Sequence, residues 1–255
     1  MIRVQDLTKT FGRQVVLRRL NLDVATGEIM VVIGRSGGGK SVLLKHLLGL
    51  LRPDSGAVLV DGTDITRLRG AALDRLRLHY GVVFQGGALF DSMSVFDNVA
   101  FPLREHSRRP AAEIRALVEE KLEQVGLAGM GDKNPAEISG GMKKRVAIAR
   151  ALVAEPDVVF FDEPTTGLDP ILVNTIHHLI QDLHGKLRFT AVMVSHEIPE
   201  IFGIADQVAM LHDGVIIESG PAAAIQASAN PIVQQFIRGD VEGPGRAAAH
   251  AGGRA

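Results

Sequence analysis

The stretch "GRSGGGKS", residues 34–41, constrains the fold more than any other part of the chain. It fits the pattern G-x-x-x-x-G-K-[ST], whose fixed positions are Gly34, Gly39, Lys40 and Ser41. An apolar run, Ile29–Ile33, precedes it and an apolar helical stretch follows it, so the segment predicts a strand, a loop and a helix in that order. Because small residues let backbone N–H groups turn inward at a helix start, this loop predicts a phosphate-binding site.

The side chains of the loop have separate predicted roles. Lys40 is expected to reach the terminal phosphates of a nucleotide, and Ser41 is expected to hold Mg²⁺. The other residues of the predicted phosphate site are Arg35, Ser36, Gly37, Gly38 and Val42.

Short β-like runs recur along the chain and alternate with helical stretches. The runs begin at Ile2, Ile29, Ala57, Tyr80, Asp157, Phe189, Gln207 and Val215. The central runs are apolar on both faces, which is typical of buried parallel strands. Strand–helix alternation predicts an α/β fold with a mixed sheet core, and hairpin-like runs near both ends predict an added antiparallel part.

Between about residues 86 and 156 the pattern is helical, with no strand signal. We therefore predict an all-helical subdomain inserted in a single domain of residues 1–239. Residues 240–255 are rich in Gly, Ala and Arg and are predicted to be disordered. A further short helix is predicted over residues 198–205, and Phe84, Phe160 and Phe161 are predicted to be core residues.

Composition excludes several classes of function. The chain has 255 residues, a formal net charge of −1 and no cysteine. The charge argues against a nucleic-acid partner, and the lack of cysteine excludes disulfides and thiolate metal sites. No apolar run approaches the roughly 18 residues of a membrane span, so we expect a soluble chain whose membrane role comes through a partner.

Polar side chains follow three of the predicted strands. Asp162 and Glu163 end "VVFFDE", where Asp162 is expected to hold Mg²⁺ and Glu163 to act as general base for a water that attacks phosphate. His196 ends another apolar strand, at the sheet edge where open α/β sheets bind ligands, although a single histidine is more often structural. Gln85 ends a third strand, where it could touch Mg²⁺ or water.

These motifs, together with "SGGMKKRVAIARAL" and "TGLD", resemble in kind and order the ATP-binding subunits of ABC transporters over about residues 1–237. The resemblance implies ATP as substrate, Mg²⁺ as cofactor and a homodimer closed around two ATP molecules. It implies that Phe11 stacks on adenine and that His196 holds the γ-phosphate and the attacking water. The segment that would contact ATP bound by the opposite subunit is Ser139, Gly140, Gly141 and Met142, and Asp169 would act in a loop that reaches across the dimer.

Finer features are similar to the ATPases of bacterial Mla/MCE-type phospholipid transporters. "SGGM", where most of the family has a Gln after the glycines, and "GALFDSMSVFDNVAFPL" carry this likeness. It implies a membrane permease subunit of the MlaE type, an MCE-domain lipid-binding protein, a small STAS-domain protein and peripheral attachment to the cytoplasmic face of the inner membrane. The alternatives are the ATPase of a lipoprotein-release system or an importer, and a non-transport ABC protein such as a cell-division ATPase.

Two other clusters attract attention. His177 and His178 are adjacent on a predicted helix, so they do not share a face and no metal site is predicted there. A basic run, Lys143, Lys144 and Arg145, could suggest a surface that binds an anionic membrane. Three basic residues are few for that purpose, and the resemblance places this helix near a dimer interface.

Overall fold

The structure is a computed structural model that describes residues 2–239. Within that range the strands are β1 Ile2–Phe11, β2 Gln14–Val24, β3 Ile29–Ile33, β4 Ser55–Val60, β5 Thr63–Asp64, β6 Tyr80–Val83, β7 Val158–Asp162, β8 Thr190–Ser195, β9 Gln207–His212 and β10 Val215–Pro221. The helices are α1 Lys40–Leu47, α2 Ala71–Arg77, α3 Val95–His106, α4 Ala111–Gln124, α5 Gly140–Leu152, α6 Pro170–Leu187, α7 Ala222–Gln226 and α8 Pro231–Arg238.

The strands form two sheets. Six of them lie in the order β10-β9-β3-β8-β7-β6, parallel except for β10, and four lie in the antiparallel order β2-β1-β4-β5. The predicted fold class, an α/β core with an antiparallel part and helices, is confirmed by this arrangement.

The central strand β3 explains why both faces of the large sheet are apolar. Every residue of β3 is buried, and successive side chains point to opposite faces. Ile29, Val31 and Ile33 pack in a core with the helices of the inserted segment and α6. Met30 and Val32 pack in a second core, with α1 and the antiparallel sheet.

The segment between β6 and β7 contains α3, α4 and α5 and no strand among its described residues. Helix α5 differs from the other two because it packs against β6 as well as against α3 and α4. It is therefore both part of the helical segment and the helix that crosses from β6 to its parallel neighbour β7.

Three expectations from the sequence need correction. The stretch 198–205 forms only a 3₁₀ turn, Glu200–Gly203, because Pro199 cannot donate a helical hydrogen bond and Gly203 weakens a helix. Strand β2 was not among the predicted strands. Phe160 and Phe161 are fully buried, but Phe84 is 41% exposed.

The predicted disordered tail lies outside the described residues. Across residues 2–239, no helix combines the length and the apolar character that a membrane crossing requires.

Candidate nucleotide site

The glycine-rich loop follows the carboxyl end of β3, an inner strand of the large sheet. It connects the end of β3, which pairs with β8 on one side and β9 on the other, to the start of α1. Gly39 precedes the helix with a left-handed φ of 101°. A Cβ at Gly34 would lie 2.4 Å from the carbonyl oxygen of Leu211, so backbone packing requires glycine there.

Lys40 is buried and turns back into the loop. Its Nζ donates hydrogen bonds to the carbonyl oxygens of Gly34 and Arg35, at 2.8 and 3.1 Å. The Oε1 atom of Glu163 lies 4.0 Å from the same nitrogen. Burial lowers the pKa of Lys40, and the carboxylates of Glu163 and Asp162 oppose that effect. The ammonium therefore stands between the loop and two acidic side chains.

Ser41 and Asp162 form the second feature of the site. The Ser41 hydroxyl donates to Asp162 Oδ1 over 3.2 Å, which joins the first turn of α1 to the end of β7. Burial raises the pKa of Asp162, and the bond from Ser41 opposes that rise. Hydroxyl and carboxylate oxygens are ligands that Mg²⁺ prefers, and Mg²⁺ usually takes only one or two of them from protein. This pair therefore fits a magnesium ion.

Glu163 is the residue on which the other predicted side chains converge. Its Oε2 accepts from Gln85 Nε2 at 3.1 Å and from the Thr166 hydroxyl at 3.2 Å, and its Oε1 lies 3.1 Å from His196 Nδ1. The backbone of Glu163 is left-handed, with φ of 47°, and its N–H donates to the carbonyl of Val194. A strained backbone at such a position is typical of functional sites.

Gln85 and Phe11 lie at the margins of this group. No hydrogen bond within residues 2–239 joins Gln85 to Ser41 or Asp162; its amide turns to Glu163 instead. Phe11 is exposed at the β1–β2 turn, and the ammonium of Lys9 lies 5.5 Å from its ring centre. An exposed aromatic ring can accept a stacked base on its free face.

The residues expected to act across a dimer lie at the starts of two helices, α5 and α6. Ser139 and Gly140 are exposed, and the Ser139 hydroxyl caps α5 by accepting from the N–H of Met142 at 3.3 Å. Met142 is partly buried and packs against the core. Asp169 caps α6, accepting from the N–H groups of Ile171 and Leu172, both at 3.0 Å.

A cavity of about 580 Å³ adjoins the loop on the side of α8. Arg35, Ser36 and His196 line one wall, and Ile232 and Phe236 of α8 line the other. The wall formed by α8 was not predicted from the sequence, because the sequence of a short helix does not indicate which element the helix packs against.

Sequence reasoning also missed a set of polar side chains that bond to the loop after Gln85 or to the residue after His196. They are Lys144, Arg150, Thr165 and Glu197. From sequence, the basic run that includes Lys144 is compatible with a surface that contacts an anionic membrane. The pattern of charges does not reveal that Lys144 is buried, at 7% exposure.

Comparison with known proteins places this geometry in a family. The profile described as ABC transporter matches residues 17–166. The chain is 42% identical over 244 residues to the intermembrane phospholipid transport system ATP-binding protein MlaF of Escherichia coli (strain K12), covering 96% of this chain and 91% of the relative. It is 44% identical over 243 residues to the probable ribonucleotide transport ATP-binding protein mkl of Mycobacterium leprae, covering 95% of this chain and 70% of the relative.

A solved structure supports the same assignment. The dimeric MJ0796, described as a bacterial ABC transporter cassette, superimposes with a TM-score of 0.79 at 30% identity, over 87% of this chain and 99% of that one. Sequence and fold agree along nearly the whole described length, so the chain belongs to the ABC transporter family as an ATP-binding, ATP-hydrolysing cassette.

Proposed function

We propose that this chain dimerises around two ATP molecules and powers a membrane permease that moves phospholipid between bacterial membranes. The likeness to MlaF carries this proposal, because it extends over 96% of this chain and 91% of the relative. The mkl relative is equally similar, but this chain spans only 70% of its length. The "SGGM" and "GALFDSMSVFDNVAFPL" segments favour the phospholipid group as well.

The chemistry follows from the contacts of Glu163. A water held beside its carboxylate would lose a proton to it while the water oxygen bonds to the γ-phosphorus; the bond from that phosphorus to the β–γ bridging oxygen breaks and ADP leaves. His196 would hold the water and the phosphate. Lys40 would bind the terminal phosphates from the loop. Ser41 and Asp162 would hold Mg²⁺, with Gln85 nearby, and the ion supplies positive charge that neutralises the phosphate oxygens.

Dimerisation would complete each site. Residues 34–42 cradle phosphates from one side, whereas Ser139 and Gly140 are exposed at the start of α5 in the same chain. A helix N-terminus attracts anions, so that of the partner would close over the γ-phosphate. In this arrangement Asp169 would lie near the partner, and Met142 would contribute little, since its side chain packs inward.

We further propose one ABC domain over residues 1–239, with the helical subdomain at about 86–156 and a tail of residues 240–255. The proposed partners are an MlaE-type permease, an MCE-domain lipid-binding protein and a small STAS-domain protein. The relationship to MlaF supports these partners and a peripheral position on the cytoplasmic face of the inner membrane.

Reconstitution tests the proposal. The chain is purified with an MlaE-type permease and placed in proteoliposomes that contain fluorescent phospholipid. ATP should drive phospholipid transfer, and the same complex with Glu163→Gln should not. The name of the mkl relative gives ribonucleotide as the competing cargo. ATP-driven uptake of labelled ribonucleotide, with no transfer of phospholipid, would replace the proposed cargo.

A further inference from the structure

Three polar side chains from elements that are far apart in sequence each contact or adjoin a residue of the proposed site; we name Lys144, Thr165 and Glu197 the Lys144 cluster. Thr165 is 0% exposed and its hydroxyl donates to Glu197 Oε2. Lys144 is 7% exposed and its Nζ donates to the carbonyl oxygen of Gln85. Burial lowers the pKa of Lys144, and attraction first to Glu197 and then to Glu163 opposes that effect.

Each member of the cluster adjoins a residue of the proposed site. Lys144 lies on α5, the helix that Ser139 caps. Thr165 lies between Glu163 and Asp169, and Glu197 directly follows His196. The Glu197 N–H donates to the Ser195 hydroxyl at 3.1 Å, so its backbone is fixed as well as its carboxylate.

A second basic residue of α5 strengthens the link to the loop after Gln85. Arg150 donates to the carbonyl oxygens of Gly87 and Ala88, at 2.6 and 2.8 Å. Together with the Lys144 bond, three carbonyls of this loop are therefore held by one helix. The side chain of Gln85 in turn donates to Glu163. A contiguous set of hydrogen bonds thus runs from α5 to the carboxylate.

We propose that Lys144 is a positioning residue: with Thr165 and Glu197, it fixes Glu163 and His196 relative to the start of α5. Binding of the partner's ATP at Ser139 would then set the geometry for hydrolysis in the same chain. The inference rests on the proposed function, because it takes Glu163 as the general base. A buried ammonium needs its charged and hydrogen-bonded partners, so it holds α5 and the loop in one arrangement.

The test compares purified full-length variants for kcat and KM in ATP hydrolysis. Lys144→Met and Thr165→Val should lower kcat by about tenfold to hundredfold, because misplaced catalytic groups cost that much. KM for ATP should stay within about threefold, since phosphate binding by the loop is untouched. Lys144→Arg and Thr165→Ser, which keep the donors, should retain most of kcat.

The matched control is Lys121→Met. Lys121 is 2% exposed on α4 of the same helical segment, and it donates to Gln124 at 3.1 Å, away from Glu163. The variant loses a buried ammonium of similar exposure but should keep kcat. The double variant Lys144→Met with Thr165→Val should lose little more than either single variant, because both residues act on the placement of Glu163, one through Gln85 and the other through the segment of His196 and Glu197.

Several results would overturn the inference. These are a wild-type kcat in Lys144→Met, an equal loss in Lys121→Met, and losses that multiply in the double variant. If Lys144→Met does not fold, the comparison of Thr165→Val with Thr165→Ser tests the inference instead. Equal kcat values for these two variants would overturn it. The proposed function fails separately, when the wild type hydrolyses no ATP or when Glu163→Gln hydrolyses it at the wild-type rate.

Discussion

A buried histidine gives this protein a stability that depends on pH in a predictable direction. His177 on α6 is 2% exposed, and neither ring nitrogen has a hydrogen-bond partner among residues 2–239. Burial lowers its pKa from 6.5 to about 4; His178 acts in the same direction and Glu200, on the neighbouring 3₁₀ turn, opposes it. As the pH falls, His177 is therefore protonated near pH 6.5 in the unfolded chain but only near pH 4 in the folded chain.

The magnitude follows from this difference. The contribution of His177 to the free energy of unfolding is fully present above its pKa in the unfolded chain, 6.5. It is lost as the pH falls from there towards the pKa in the folded chain, about 4. At pH 5 the free energy of unfolding should be about 2 kcal/mol lower than at pH 7.5 on account of His177 alone. His177→Leu removes both the titration and two unsatisfied buried nitrogens, so it should be at least as stable as the wild type at pH 7.5.

Urea unfolding at pH 7.5 and pH 5 measures this effect. The chain has no Trp and one Tyr, so far-UV circular dichroism is the suitable signal. The wild type should lose about 2 kcal/mol more than His177→Leu between the two pH values. The control His178→Gln changes the exposed neighbour and should follow the wild type. An equal pH dependence in His177→Leu and the wild type would refute the reasoning.

Three further predictions concern the nucleotide site. Glu163→Gln should hydrolyse ATP at least about a hundredfold more slowly and accumulate as an ATP-bound dimer in gel filtration; a monomer under those conditions would contradict the proposed dimer. Met142→Gln should leave ATP-dependent dimerisation intact because Met142 packs inward, whereas Ser139→Arg should abolish hydrolysis; a strong loss of dimer in Met142→Gln would show that the thioether is required. Phe11→Ala should weaken ATP binding by about tenfold in calorimetry through lost stacking, while Phe11→Trp should retain it; equal affinity in both would remove Phe11 from the site.

The sequence predicted the fold where local pattern and buried environment agree. Strands β3, β7 and β8 are buried along nearly their whole length, so each reads as a continuous apolar run. Strand β2 was not predicted because Arg18, Arg19 and Asn21 are all exposed polar residues within it. Its pairing with β1 also includes register shifts, which break the alternation of apolar and polar residues.

Site residues were predictable when a motif fixes both their type and their spacing. Lys40, Ser41 and Glu163 belong to such motifs, and the structure brings them together. Lys144 could not be recognised in the same way, because a basic residue on an amphipathic helix usually faces water. Its burial depends on where α5 meets the loop after Gln85, which is a property of the tertiary structure.

The double role of α5 has a consequence for how relatives of this chain diverge. Because α5 is the crossover helix between β6 and β7, its length and packing are constrained by the sheet. Helices α3 and α4 precede it and pack on each other and on α5, and their buried faces share a core with β3. Insertions between them and substitutions at their exposed positions should therefore disturb the strand register and the phosphate loop least. Variation among cassettes that serve different permeases should concentrate at those positions within residues 95–124, while 140–152 stays uniform in length.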